Sequence, residues 1–356
     1  MRKQTQFITV LNLNLTKNKF ITPIPREKFL FGIRAHFRGQ ISNSVAGTSI
    51  GPEGILQLLE RFRVRTTHEI YAGEVLCDLY GPSLFHLQEF YQQAPNRINL
   101  SQPLSTQTNL VSNFDFLVDF EFPPQNIFPA DQEFFLLDAP RASLLELDLE
   151  WGNGISVIQG GTTALTAFGS GSGTPSCDLE MIQILDKEDI PLTALCRRYS
   201  TELDISATPF PVTNDKIRDL PTGEAIRSIL VRQYLRDTTA GQPTSAAATI
   251  LDPINPEVDT GVSRVGVRVN EKYISHGRSW QNLRERNRDQ YRLLAMPIGY
   301  GMLEFVEDGN IDRVLFTQDF VEKRSRLDIG GSVVTGTNAR AELIFTTIKP
   351  NPQLGG

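Results

Sequence analysis

The chain has 356 residues, more than one ordinary all-β domain holds and suited to two. Hydrophobic residues at 40% and charged residues at 21% exclude disorder by composition, and 21 Phe and 21 Pro against 4 Met favour strands and turned loops over helices. A net charge of −6 argues against a surface built to wrap nucleic acid, leaving room for a local basic patch, and no apolar run is long enough to span a bilayer.

Residues 1–26 are expected to form an irregular arm, with Leu11-Asn12-Leu13-Asn14-Leu15 as a candidate short strand. Arg2, Lys3, Lys17, Lys19 and Arg26 make this arm basic within an acidic chain. One reading is a frayed terminus with solvated charges. The other is an arm that reaches a neighbouring subunit, a lipid headgroup surface or packaged nucleic acid. Met1 to Phe7 lacks the continuous apolar region of a signal peptide.

The body opens with a predicted strand over Lys28–Gly39, where Phe29, Phe31, Ile33, Ala35 and Phe37 share one face. Gly54–Thr67 is a second, with Phe62 and Val64 alternating with Arg61, Arg63 and Arg65. Glu74–Tyr80 is a third. After Gly81-Pro82 the period changes: Leu84, Leu87 and Tyr91 fall at helical spacing, and proline suits the first turn of a helix. A polar loop over Pro95–Asn109 follows.

Phe114, Phe116, Val118, Phe120 and Phe122 then alternate with Asp115, Asp119 and Glu121. Such a strand has one apolar face, which needs a second sheet or a closed barrel to cover it. Pro123-Pro124 ends it. Beyond Phe134-Phe135-Leu136-Leu137-Asp138-Ala139-Pro140, Leu145, Leu147, Leu149 and Trp151 alternate with Glu146, Asp148 and Glu150. Ile155–Phe168 and Cys177–Leu185 are further strands joined by the loop tip Gly169–Gly173, and the acidic run Asp186–Asp189 with Pro191 marks a domain boundary.

The second half repeats the plan. Glu202–Thr208 and Ala225–Leu235 are strand candidates, the latter ambiguous with helix. Thr238–Asp259 is a long exposed loop by composition, and Val262–Val269 alternates cleanly. Ser279 can cap a second helix carrying Trp280, Leu283, Tyr291 and Leu294 near one face, ended by Pro297. Strands are expected over Gly301–Val306, Arg313–Phe320, Arg326–Val334 and Ala339–Ile348. A period of about 190 residues between the helices fits two similar all-β domains in tandem, not a solenoid.

Chemistry-bearing patterns are sparse. His36, His68, His86 and His276 include no close pair, so a cupin-type metal site has no ligand set. Gly169–Gly173 does not fit a nucleophile elbow, and no phosphate-binding glycine loop appears. Asp115 with Asp119, or Glu146, Asp148 and Glu150, could serve as a glycosidase carboxylate pair or as a solvated or interface-facing strand side. The arginines between Arg278 and Arg292 fit RNA binding less well than intersubunit ion pairs or a solvated face, because Glu285 and Asp289 lie among them. Cys77, Cys177 and Cys196 are odd in number and unpaired in spacing, which predicts buried reduced thiols in a cytoplasmic setting.

The strands from Gly54 to Tyr80 with Pro82 opening a helix, the Phe114–Phe122 strand, the Phe134–Pro140 segment followed by Leu144–Gly152, and the repeat of this plan after Leu192 are similar to a known pattern. The chain resembles the double jelly-roll major capsid proteins of tailless icosahedral viruses, the lineage that includes adenovirus and membrane-containing bacteriophages. The resemblance implies an all-β fold of two tandem eight-stranded jelly rolls (β-sandwiches), each with a short helix inserted between strands. On this sequence they would occupy residues 27–188 and 189–350, after the arm at 1–26 and before a frayed C-terminus at 351–356.

It further implies a structural virion protein that is not an enzyme and has no catalytic residue, cofactor or metal. Homotrimers would form pseudo-hexagonal capsomers of an icosahedral capsid, with lateral capsomer contacts and other virion proteins as partners. Arg2, Lys3, Lys17 and Lys19 would face the inner surface, an internal membrane or a neighbour, with no sequence-specific nucleic acid. The protein would be made in the host cytoplasm and reside in the virion. The alternative is a carbohydrate-binding or carbohydrate-cleaving β-sandwich, with Trp151 or Trp280 as sugar platform. A two-domain cupin is the third reading, opposed by the histidine spacing.

Overall fold

The computed structural model describes residues 1–13, 18–42, 49–50, 53–69, 71, 73–92, 99–100, 111–152, 158–159, 175–187, 194–205, 216–235, 249–250, 261–269, 272–306, 308–317, 325–332 and 339–351. The chain divides into two compact units, one built mainly on Met1–Cys196 and the other on Arg197–Thr238 with Thr249–Lys349.

The first unit contains β1 (Lys3–Asn12), β2 (Asn18–Pro23), β3 (Phe29–Ser42), β4 (Ser49–Ile50), β5 (Leu59–His68) and β6 (Glu74–Leu79). Helix α1 (Gly81–Gln92) precedes β7 (Asn99–Leu100), β8 (Val111–Glu121), β9 (Ala142–Trp151), β10 (Ile158–Gln159) and β11 (Ser176–Ile184). One antiparallel sheet runs β1-β11-β3-β8-β7, and β6-β5-β9-β2 lie side by side in another. The apolar faces read from the sequence meet between these sheets. Phe37 of β3 stacks on Trp151 of β9 at 5.4 Å, and Phe62 of β5 meets Phe120 of β8 at 6.1 Å. All five apolar positions from Phe114 to Phe122 are buried, as are Leu145, Leu147, Leu149 and Trp151. Each fully buried side chain of this seam contributes roughly 1.5–3 kcal/mol.

β12 (Ala194–Asp204) crosses the division between the units. The second unit continues with β13 (Lys216–Asp219), β14 (Ala225–Leu235), β15 (Thr249–Ile250), β16 (Gly261–Val269) and β17 (Lys272–Ser279). Helix α2 (Trp280–Gln290) follows, then β18 (Tyr300–Glu304), β19 (Leu315–Phe316), β20 (Ser325–Ser332) and β21 (Ala339–Pro350). One sheet runs β13-β20-β16-β17; the other has β12-β21-β14, with β15, β18 and β19 also paired to β14. Their shared core includes Ile229, Val231, Val265, Val267, Trp280 and Phe345.

Several expectations are corrected. The described part of residues 1–26 is mostly strand, not an irregular arm: β1 pairs with β11, and β2 pairs with β9. The reason is that both are sheet-edge strands. β1 is exposed along most of its length, so it shows no apolar period for a pattern to catch. Gly54–Leu58 is a buried 3-10 turn, because Ile55, Leu56 and Leu58 are not spaced for a strand. Arg313–Phe320 holds only the two residues of β19 as strand, after a 3-10 turn at Ile311–Arg313; residues 318–320 lie outside the described residues. Ala225–Leu235 is a strand. Residues 225–234 are buried on both faces, which erases the alternation that separates strand from helix.

The loop tip Gly169–Gly173 and Ile155–Phe168 apart from β10 lie outside the described residues, as does Thr238–Asp259 apart from β15. No helix among the described residues is long and apolar enough to cross a membrane.

Candidate functional site

The four basic residues singled out in the N-terminal segment do not converge. Arg2 lies just before β1, where its amide donates to Asp186 Oδ1 at 2.9 Å and its carbonyl accepts from Leu185 N at 3.0 Å. Lys3 Nζ stands 3.1 Å from the centroid of the Phe31 ring. Burial pulls its pKa down, against the opposing pull of Glu121. Lys19 is on β2, on the other sheet, with Nζ 2.9 Å from Asp148 and 3.6 Å from Glu150; the bond to Asp148 raises its pKa. Lys17 lies outside the described residues.

The carboxylates that alternate with the apolar residues are matched by arginines across the strands. Asp148 is fully buried, and Arg65 of β5 reaches both Glu146 and Asp148. Asp78 accepts from Arg61 at 2.7 Å and from Arg63 at 2.8 Å. On the other sheet Arg34 meets Asp119 at 2.7 Å, and His36 meets Asp115 at 2.7 Å. The bond to Asp119 comes first among the causes that hold the Arg34 pKa above its ordinary value. So the candidate glycosidase carboxylates are engaged in cross-strand ladders, by ion pairs and, at Asp115, by a hydrogen bond with His36. Sequence reasoning saw the arginines of β5 and the acids of β9 but not their register, which places Arg65 opposite Glu146.

Other chemistry-bearing side chains are buried or paired. Cys77, Cys177 and Cys196 are free and buried, and burial pushes the Cys177 thiol well up. His86 bonds Glu89 within α1, and His68 is buried beside Tyr71. The His276 side chain lies outside the described residues. Trp151 and Trp280, the candidate sugar platforms, are both core residues at 0% and 2% exposure. Among the described residues no three His, Cys, Asp or Glu side chains are grouped to hold a metal ion.

The outward face of α2 is the second charged feature. Ser279 Oγ accepts from Asn282 N at 3.2 Å and caps the helix, as its position in the sequence predicts. Trp280, Leu283 and Asn287 turn inward, and Asn287 holds Met302 of β18 by a paired bond of 2.8 and 2.9 Å. Beside the helix opens a cavity of about 260 Å³ lined by Gln281, Arg284, Glu285, Arg288, Leu294 and Met296. The Arg284 guanidinium donates to the Pro297 carbonyl at 3.2 Å.

No family model matches the chain, and no curated protein matches it in sequence. Solved structures do match it, and over its full length. The crystal structure of the STIV MCP, from Sulfolobus turreted icosahedral virus, superposes with a TM-score of 0.69 at 14% identity, covering 100% of this chain and 99% of that one. The major capsid protein P2 of bacteriophage PM2 gives 0.58 at 11% identity, with 98% of each chain covered. The PBCV-1 virus capsid gives 0.59 at 13% identity, over 98% of this chain and 93% of that one. The chain therefore has the double jelly-roll fold: two tandem sandwiches, each with its helix between strands.

Proposed function

We propose that this protein is a structural virion component, the major capsid protein of an icosahedral shell. The observation that carries this reading is the end-to-end likeness to capsid proteins: 98% or more of this chain is covered by the STIV, PM2 and PBCV-1 structures. A sandwich pair whose strand carboxylates are paired within its own sheets is suited to tiling. Three copies would close into a pseudo-hexagonal capsomer, with lateral contacts to other capsomers and to other virion proteins. Reading the chain as a sugar-binding sandwich loses its platform, because an aromatic ring buried in the core cannot stack on a ligand.

The N-terminal segment is part of the proposal as a contact element toward a neighbouring subunit or an internal membrane. The exposed β1 edge, with Phe7 and Val10 turned to solvent, supports that role better than the charges of Lys3 and Lys19, which have partners inside the chain.

Light scattering on the purified chain tests the reading. A stable particle of about three chain masses is expected. A monomer at all concentrations, with affinity for an oligosaccharide, would count against it.

A further inference from the structure

Among the described residues, two exposed features of opposite character stand uncovered. The first is on the first unit, in the 3-10 turn Asp131–Phe135 and the residues before it. Phe128 is 53% exposed and Phe134 is 47% exposed, with Pro129 and Ala130 also open to solvent. The segment 128–134 carries Asp131 and Glu133 and no basic residue. Lys187 neutralises Glu133 at 2.8 Å, so Asp131 supplies the net charge of this acidic, aromatic knob.

The second is the cavity beside α2 in the other unit. Its lining is apolar on one side, from Leu294, Ala295 and Met296, and charged on the other, from Arg284 and Arg288 with Glu285. Between residues 280 and 292 there are four arginines (284, 286, 288, 292) against two carboxylates (285, 289), a balance of +2. Leu294 at 89% and Ile298 at 53% exposure extend the apolar surface. Large apolar side chains exposed side by side with arginines mark an interaction surface in a soluble chain.

We propose that the knob of one copy seats in the α2 cavity of a second copy of this chain. The inference rests on the shell reading above and names the contact through which copies meet. The match is one of chemistry: aromatic side chains for an apolar lining, and the Asp131 carboxylate for Arg288, whose 3.5 Å contact with Asp289 is solvent-exposed and therefore weak. Knob and cavity are different patches, so the contact is head-to-tail, and such contacts close into a ring when the rotation allows. In a ring of three, each copy offers its knob to one neighbour and its cavity to the other. The cavity is sized for a side-chain anchor, and buried aromatic and arginine side chains are the usual centre of an interface.

Charge reversal tests this in the full chain, because Asp131 and Arg288 sit on the surface. Asp131→Arg and Arg288→Asp should each weaken self-association about tenfold or more, and the double variant should recover to within about threefold of the parent. Sedimentation equilibrium reads all three, with melting temperatures held to the parent's as a check on folding. Leu294→Ser, at an exposed position, gives an independent loss of similar size should a reversed variant misfold. Single variants that associate like the parent, or a double variant with additive loss, would overturn the contact and leave the shell reading standing. A parent that stays monomeric throughout would overturn both.

Discussion

Helices α1 and α2 occupy the same place in the two halves of the chain, yet they meet solvent differently. In α1 ten of twelve residues are buried, from Gly81 through Tyr91 with only His86 and Gln92 outside that set. In α2 only Trp280, Leu283 and Asn287 are buried among eleven. Composition explains the contrast. GPSLFHLQEFYQ carries one formal charge, Glu89, so nearly all of its surface can leave water. WQNLRERNRDQ carries five charged side chains and can bury only one stripe. One helix is buried nearly all round, and the other buries a single stripe in its core and turns the rest to solvent.

The largest effect should come from emptying the α1 side of the comparison. Phe90→Ala is expected to cost about 3–5 kcal/mol, whereas Gln281→Ala on the exposed face of α2 should change stability by about 0.5 kcal/mol at most. Denaturant unfolding of each variant measures the difference, and equal losses would show that the helices are not distinct in role.

Glycine contacts sharpen the contrast next. A Cβ on Gly81 would lie 2.6 Å from the Leu56 carbonyl oxygen and 2.6 Å from Leu59 Cβ, where backbone must move. A Cβ on Gly301 would meet only the ends of the Trp280 and Leu283 side chains, at 3.0 to 3.2 Å. Gly81→Ala should therefore cost about 1–3 kcal/mol by overpacking, and Gly301→Ala clearly less. Thermal unfolding of the pair would reveal a reversed order.

The smallest effect is a pH response of the first unit. Burial depresses the His68 pKa below 6.5, opposed by the charges of Asp138 and Glu69 and reinforced by that of Arg141. The unfolded chain then binds more protons, so this histidine's contribution is complete above pH 6.5 and is lost as pH falls below it. Burial raises the Asp138 pKa from 3.8, which works in the opposite sense at lower pH. His68→Gln should flatten the fall in melting temperature between pH 7.5 and pH 5.5. An unchanged slope would assign the fall to other groups.

Much of this architecture is legible in the sequence because a sheet with one wet face writes a period of two. Phe29 to Phe37, Phe114 to Phe122 and Leu145 to Trp151 all face the core as their spacing predicts. The signal fails at the two extremes of burial. β1 is too exposed to carry an apolar face, and β14 is too buried to carry a polar one. The surface features were less legible. Arg284 and Arg288 were visible as charges, but their cavity depends on the turn after α2 that brings Leu294 to Met296 beside the helix. The acidic knob had no period at all, since Phe128 before the 3-10 turn and Phe134 within it reach solvent while Phe135 beside them is buried.

The central claim, that this chain exists to tile a shell, is tested most directly by electron microscopy of the purified protein. Trimers with a six-sided outline, and closed shells or flat arrays at high concentration, are the predicted result. Single particles that never associate, under any ionic condition in which the chain remains folded, would contradict it.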